Sequence, residues 1–402
     1  MTRTIEDLSS LGDLHTDAMI VNVGPSHPLT HGTVRFIITL DGETVVKCDA
    51  EIGYLHRGFE KETENCTWTQ VFPYTDRLNY LSPLLNNFGY ALAVEKLMGI
   101  EVPRRCNYIR VIMGELSRMS DHLTCLGAGA LELGAFSAFL YAIEAREHVW
   151  DLIEQVTGAR LTVTYGRVGG LAKDITPDFE AQWKERRPAI VKVVEDVDRL
   201  LTKNRIFLDR MEGTGIISKE DAISYGFSGP CLRSAGVPYD VRKDKPYFAY
   251  GELDFVVPVG TRGDNFDRYL VRIEEIRQSI SMIDQCIANM PDGPWQSDDA
   301  RAVLPDKQHV YNSIEGMMNH FKIIFEGIQV PAGEVYSYTE GANGELGFYL
   351  VSGGTGQPWR VKVRPPCYYL MGALESMVEG GMIADIIPTF DTINMIGGEI
   401  DR

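Results

Sequence analysis

The chain has 402 residues, 44% of them hydrophobic, which is enough for a sizeable core and allows two or three domains. Lys and Arg total 39 against 56 Asp and Glu, and the resulting net charge of -17 argues against nucleic acid or an anionic lipid surface as the main partner. Seven scattered cysteines without a Cys-x-x-Cys pair fit a reducing compartment and offer no thiolate metal site.

Residues 1–14 carry three acidic side chains and no apolar segment, so neither a signal peptide nor a transit peptide is expected. Residues 19–23 read as a strand. The segment Gly24-Pro25-Ser26-His27-Pro28-Leu29-Thr30-His31-Gly32 follows. Its prolines fix φ and bias the residues before them away from helix, which predicts a rigid, non-helical loop. Its two imidazoles either cap the turn or stand ready for proton exchange and hydrogen bonding to a ligand, since an unperturbed histidine titrates near neutrality. Residues 33–40 and 43–48 form a hairpin across Asp41-Gly42, a pair suited to a type I′ turn. Gly53 and Gly58 then bracket His56 and Arg57, a candidate anion or cofactor contact.

From about residue 60 to residue 210 the apolar spacing becomes helical, with helices expected over 78–98, 107–126, 135–156 and 179–201. Pro103 and Pro177 suit helix starts, and Pro188 should kink the last of these helices. The nearly apolar stretch 125–143 has the length of a membrane span, yet it holds Glu132 and three glycines and is read as buried within protein. Beyond residue 210 comes a loop-rich insert rich in Gly and Pro, then helices at about 266–290 and 312–325. A hairpin of residues 346–351 and 359–363 follows across Ser352-Gly353-Gly354-Thr355-Gly356. The predicted class is therefore α+β and mainly helical: a central helical bundle with small N-terminal and C-terminal β elements. Its expected segments are 1–60 with the histidine loop, 61–215 as the bundle, and 216–402 packed with the bundle as one unit.

Phosphate-binding, zinc-protease, nucleophile-elbow and dinucleotide signatures are all absent, which leaves proton chemistry without a nucleophile or a metal. Asp76-Arg77-Leu78-Asn79-Tyr80 sets a charged pair and a phenol at the mouth of the helical region. Tyr80 is either a hydrogen-bond donor to a carbonyl or an ordinary helix-start residue. Glu132, in its apolar setting, needs a partner or stays protonated, and a histidine would serve. Glu115, Arg118 and His122 share one helical face and are read as a structural network.

Taken together, Val23-Gly24-Pro25-Ser26-His27-Pro28 with His31-Gly32, Ile52-Gly53-Tyr54-Leu55-His56-Arg57-Gly58 and Asp76-Arg77-Leu78-Asn79-Tyr80 carry a family resemblance. So do Ala93-Val94-Glu95-Lys96-Leu97, Gly114-Glu115-Leu116-Ser117-Arg118, Tyr225-Gly226-Phe227-Ser228-Gly229-Pro230, Val257-Pro258-Val259-Gly260-Thr261-Arg262-Gly263-Asp264 and the final Gly398-Glu399-Ile400-Asp401-Arg402. In number and order they resemble the D subunit of bacterial respiratory complex I, the proton-pumping NADH:quinone oxidoreductase. That resemblance implies the fold of nickel-iron hydrogenase large subunits. It implies a peripheral component at the cytoplasmic face of the inner membrane, with the B, C and I subunits and the membrane-embedded H subunit as partners. It also implies a quinone, ubiquinone or menaquinone, as substrate at a head-group site shared with the B subunit.

By the same resemblance His31 and Tyr80 are the head-group ligands, and Glu132 is the partner of His31 where the family commonly has the shorter aspartate. Arg57 and Arg77 lie near the 4Fe-4S cluster that the B subunit ligates, and no cofactor is ligated by this chain. Thr162 stands where many members have a histidine beside that cluster, so the cluster potential should depend less on pH here. A catalytic nickel-iron hydrogenase would need two Cys-x-x-Cys pairs, which this chain lacks. A purely structural docking role, or the same type of chain in a ferredoxin- or deazaflavin-fed relative, remains open on sequence alone.

Overall fold

The computed structural model describes residues 18–402, so the expectation for residues 1–14 lies outside the described residues. The chain opens with an antiparallel sheet of β1 (Met19–Val23), β2 (Arg35–Asp41) and β3 (Thr44–Glu51), in that order. Asp41 pairs with Thr44 across the expected tight turn, where Gly42 takes a φ of +61° that suits glycine. Alternation places Phe36, Ile38 and Leu40 on the inner face, and they pack with residues of the C-terminal part of the chain, including Leu370, Phe390 and Ile396. The sheet thus fixes the histidine loop between β1 and β2 against the end of the chain.

The bundle is built from α1 (Pro83–Met98), α2 (Arg104–Glu132), α3 (Phe136–Thr157), α4 (Phe179–Leu201) and α5 (Asn265–Asn289). α2 packs against α1, α3 and α5 and is buried almost throughout from Tyr108 to Leu126. Its start follows Pro103, while α1 and α3 end on Gly99 and Gly158 in the left-handed conformation, as helix C-termini commonly do. The Asp264 side chain caps α5 by accepting from the Asp267 N–H at 2.8 Å. The α5 stripe Ile273, Ile276, Ile280 and Ile283 is core, each such side chain contributing roughly 1.5–3 kcal/mol on burial.

Several buried charges on these helices are paired, while others, such as Arg268, are held by neutral hydrogen-bond acceptors. Arg110 donates to both oxygens of Glu95 at 2.8 and 2.6 Å. Glu115, Arg118 and His122 form the structural network expected of them: Arg118 donates to Glu115 and to the Glu340 and Gly341 carbonyls, and His122 meets Glu275 at 2.8 Å. The region after residue 210 is more ordered than its glycines and prolines imply. It contains the short helices Lys219–Ser224, Gly229–Ser234 and Val241–Asp244, and its buried Arg233 and Arg242 pair with Glu275, Glu340, Asp240 and Glu115. Such matching offsets the cost of taking these charges out of water.

A second antiparallel sheet, β4 (Gly333–Glu340), β5 (Glu345–Ser352) and β6 (Pro358–Arg364), covers α1. Its β5–β6 hairpin was expected, and β4 was not. The helix expected over 312–325 is Ile314–Phe325, capped by the Ser313 side chain accepting from the Gly316 N–H at 2.9 Å, and a short helix that was not expected, Lys307–Asn312, precedes it. Pro177 lies before the Asp178 cap instead of in the first turn of α4. Stretch 125–143 is only partly buried: it folds back at Gly134 between α2 and α3, and Leu131, Phe136, Leu140 and Tyr141 are exposed on the outside of that corner. No helix among the described residues is long and apolar enough to cross a membrane.

Candidate functional site

The histidine loop is not wholly non-helical, since Pro28–Thr30 makes one 3-10 turn, short enough to be compatible with both prolines. Its two imidazoles have different roles. His27 caps the turn, its Nδ1 accepting from the Leu29 N–H at 3.2 Å. His31 ends the turn at a φ of +51°, its N–H donating to the Pro28 carbonyl at 3.3 Å, which leaves the ring projecting from the loop. Thr30 is fully buried and braces the turn, with its hydroxyl donating to the Pro25 and His27 carbonyls at 3.1 Å each. Gly24 is required there, because a Cβ would stand 2.4 Å from the Val34 carbonyl at a φ of +91°.

The exposed face of the His31 ring meets the end of α2, with Nε2 3.4 Å from Oε1 of Glu132. The longer glutamate still reaches the imidazole. Phe390 lies beside the ring at a centroid distance of 6.4 Å and is itself held edge-on by Phe36 at 5.3 Å. The Glu132 carboxylate raises the His31 pKa above its ordinary 6.5; burial opposes this, and the charges of Asp391 and Glu132 add to it.

Tyr80 comes to the same place from the loop before α1. The neighbouring Asn79 accepts through Oδ1 from the Leu81 and Ser82 N–H groups at 3.1 and 3.3 Å, forming an Asx turn. Its Nδ2 donates to Asp121 Oδ2 at 2.7 Å, which also receives the Ser82 hydroxyl at 2.8 Å. Asn394 donates to the other Asp121 oxygen at 2.6 Å. Asp121 in α2 therefore locks the Tyr80 turn and the C-terminal turn to one helix. The Tyr80 hydroxyl makes no hydrogen bond among the described residues, and burial raises its pKa with help from Cys367 and Asp121, so it is a neutral donor.

Between these groups lies a cavity of about 180 Å³, lined by His31, Tyr80, Cys125, Asp391, Asn394 and Ile396 among others. That is less than the ~300–1,000 Å³ of a whole-ligand pocket and suits one ring. A larger cavity, about 1,080 Å³, is an open cleft whose Glu101, Asp298, Asp306 and Glu315 side chains are exposed. It shares no residue with the His31 cavity and lacks a buried titratable group.

Asp391 is the site residue that sequence reasoning missed. It sits in the short helix Ile386–Thr392, and its acidic atoms lie within 4.8 Å of those of His31 and Glu132. Burial, reinforced by the Glu132 charge and opposed by His31, pushes its carboxyl up to about 8. The available signal was the one that marked Glu132: a lone acid in an apolar run. The imidazole and the two carboxyls, within 4.8 Å of one another and with the His31–Glu132 contact at 3.4 Å, are close enough to share protons.

Arg57 and Arg77 lie to the side of the cavity. An Arg57 amino group donates to the Arg77 carbonyl at 3.0 Å and to the Gly398 carbonyl at 3.4 Å, while Arg77 donates to the Pro73 carbonyl at 2.7 Å. Arg57 is near enough to Tyr80 for its charge to draw the phenol's pKa down against burial. His56, a candidate ligand contact on sequence, is instead tied to the Asp401 carbonyl at 2.6 Å and helps anchor the C-terminus. Thr162 is half-buried in the segment after α3.

A family model described as "Respiratory-chain NADH dehydrogenase, 49 Kd subunit" matches residues 132–402. The chain is 57% identical to the first-numbered D subunit of the NADH-quinone oxidoreductase of Sorangium cellulosum over 391 residues, covering 97% of each chain. It is 56% identical to the corresponding D subunit of Myxococcus xanthus, covering 97% of this chain and 94% of that one. With the D subunit of the Pelobacter propionicus oxidoreductase the identity is 51%, over 96% of this chain and 95% of the relative.

Proposed function

Because this chain belongs to the family of the 49 kDa subunit of respiratory-chain NADH dehydrogenase, we propose that it forms the head-group end of a quinone-reducing site in the peripheral arm of that complex. The observation that carries the reading is the shared cavity of His31 and Tyr80. An imidazole backed by a carboxylate and an uncommitted phenol, brought together from separate segments, line a space for one ring.

In this reading the quinone enters with one carbonyl toward Tyr80 and the other toward His31. Electrons are supplied by the 4Fe-4S cluster of the iron-sulfur B subunit. Glu132 keeps His31 protonated, and the imidazolium and the phenol supply the two protons that the reduced head group requires. The apolar walls contributed by Phe390 and Ile396 lower the local dielectric and so strengthen the polar contacts inside. Arg57 and Arg77 place positive charge beside the cavity, where it would favour a reduced cluster.

The C and I subunits and the membrane-embedded H subunit complete the surroundings, with the chain peripheral at the cytoplasmic face of the membrane. The exposed Leu131, Phe136, Leu140 and Tyr141 next to Glu132 support a covering partner there, since apolar patches of this kind mark interaction surfaces.

The test is quinone-reductase turnover of membranes carrying Tyr80→Phe, with NADH:ferricyanide activity as the control for assembly of the upstream module. The expected result is a collapse of quinone turnover at a normal ferricyanide rate. Full retention of both would remove Tyr80 from the chemistry, and the head-group reading with it.

A further inference from the structure

Asp391 is a buried acid to which the preceding mechanism gives no task. Its Oδ2 is buried without a hydrogen-bond partner, although the residue lines the cavity of His31 and Tyr80 and its acidic atoms lie within 4.8 Å of His31 and Glu132. A buried oxygen left unmatched costs roughly 1–3 kcal/mol, more if charged, so a purely structural acid would be expected to be paired.

The surroundings leave a single direction for its proton. On its far side, toward α5, a second small cavity is bounded by Cys125, Tyr269 and Arg272. None of those groups is free to take its proton, one being a permanent cation and the others a neutral thiol and a phenol. The Cys125 thiol is pushed up to about 12 by burial and donates to the Asp391 carbonyl at 3.5 Å. Arg272, a guanidinium that cannot accept a proton, donates to the Arg268 carbonyl at 3.2 Å and to the Cys231 sulfur at 3.8 Å with its Nε left unpartnered, and the Tyr269 hydroxyl meets Thr202 at 3.1 Å. The open side faces His31 and Glu132. Packing also holds the acid in place, since a Cβ on Gly129 of α2 would lie 3.6 Å from the Asp391 Cβ.

We infer that Asp391 is a positioning residue that holds the reserve proton of the site and passes it to His31 after His31 has given its own to the reduced head group. In that step the O–H bond of Asp391 breaks and an N–H bond forms on the neutral imidazole. Asp391 is left as a carboxylate and regains its proton from water at the partly exposed His31 end of the cavity; no electrons move. The inference rests on the head-group reading. A carboxyl held up to about 8 is protonated at neutral pH and able to donate, which agrees with the geometry.

The experiment measures the pH profile of NADH:quinone turnover in membranes carrying the assembled complex, as wild type, Asp391→Asn, Asp391→Glu and Tyr80→Phe. Ferricyanide reduction controls for assembly. Asp391→Asn is expected to lower turnover at neutral pH by roughly 10²-fold, the lower end of what a positioned acid contributes, and to abolish the alkaline limb near pH 8. Asp391→Glu keeps an acid and is expected to restore most of the rate with that limb displaced. Wild-type turnover with an unchanged limb in Asp391→Asn overturns the inference. So does an equal loss at every pH in both Asp391 variants, which marks a packing role. If Asp391→Asn does not assemble, Asp391→Glu decides: a displaced limb supports the inference and an unmoved one ends it. Collapse in Tyr80→Phe alone sinks this inference and leaves the head-group site standing, whereas full activity in Tyr80→Phe sinks both.

Discussion

Replacing Asn79 by alanine tests whether the placement of Tyr80 depends on the turn beneath it. Asn79 is 1% exposed; its Nδ2 donates to the Asp121 carboxylate at 2.7 Å and its Oδ1 accepts from the Leu81 N–H at 3.1 Å. The Ser82 N–H, which also reaches Oδ1, keeps a second acceptor in the Asn79 carbonyl at 3.2 Å. The variant therefore loses one hydrogen bond to a charged group and strands one backbone donor, a cost of about 3–5 kcal/mol. Against the roughly 5–15 kcal/mol of a typical fold this is heavy but survivable within an assembly.

Freed from its turn, Tyr80 would move by an ångström or so, and misplacement on that scale costs on the order of 10²-fold in rate. The assay is the ratio of quinone to ferricyanide turnover in membranes, with Ser82→Ala as calibration. Ser82→Ala removes one bond of 2.8 Å to the same carboxylate but leaves the Asn79 side-chain turn in place, so its ratio should stay near wild type. If Asn79→Ala assembles and keeps a wild-type ratio, the argument that this turn positions the phenol is refuted.

Glu132→Gln removes the group chiefly responsible for raising the His31 pKa, so protonated His31 becomes scarcer as pH rises. With side-chain exposures of 44% and 16% and a separation of 3.4 Å, the pair is worth roughly 0.2–1 kcal/mol. Neutral-pH turnover should fall about 1.4- to 5-fold and recover on acidification; a loss independent of pH would contradict the role. The sign for stability follows: the pair's contribution is complete below the ordinary imidazole value of 6.5 and disappears as pH rises through the higher folded value. His27→Ala removes only a cap and should leave turnover within about twofold at a stability cost of ~0.5–2 kcal/mol, whereas His31→Ala should abolish turnover; equal effects would show that the loop acts as a unit. Gly398→Ala brings a Cβ to 2.4 Å from the Arg77 carbonyl and 2.5 Å from that of Leu78, which overpacks the C-terminal turn by about 1–3 kcal/mol. Thermal denaturation of the complex should begin earlier in that variant, and an unchanged melting curve would mean that the turn yields freely.

The parts of the molecule that could be read from sequence are those whose information is local. The β2–β3 hairpin announces itself by alternation around Asp41-Gly42, and α1 to α5 by apolar spacing sustained over several turns. β4 was hidden because its inward positions include Ser337 and Thr339, so its alternation is polar against polar. The short helices after residue 365 offer too few turns for a period to emerge, and their burial comes from the distant N-terminal sheet. The candidate site divides the same way. His31 and Tyr80 stand out as unusual residues in stiff, distinctive loops, and Glu132 as an acid in an apolar run. Their convergence with Asp391 depends on contacts between the N-terminal loop, the end of α2 and the last helices, and no local pattern encodes that.

The most direct measurement of the central claim is a cryo-electron microscopy structure of the assembled complex with quinone bound. The account predicts head-group density in the His31–Tyr80 cavity, with one carbonyl oxygen within hydrogen-bond distance of the Tyr80 hydroxyl and the other within reach of the His31 imidazole. Head-group density held elsewhere, with that cavity filled by water or by a partner's side chain, would contradict it.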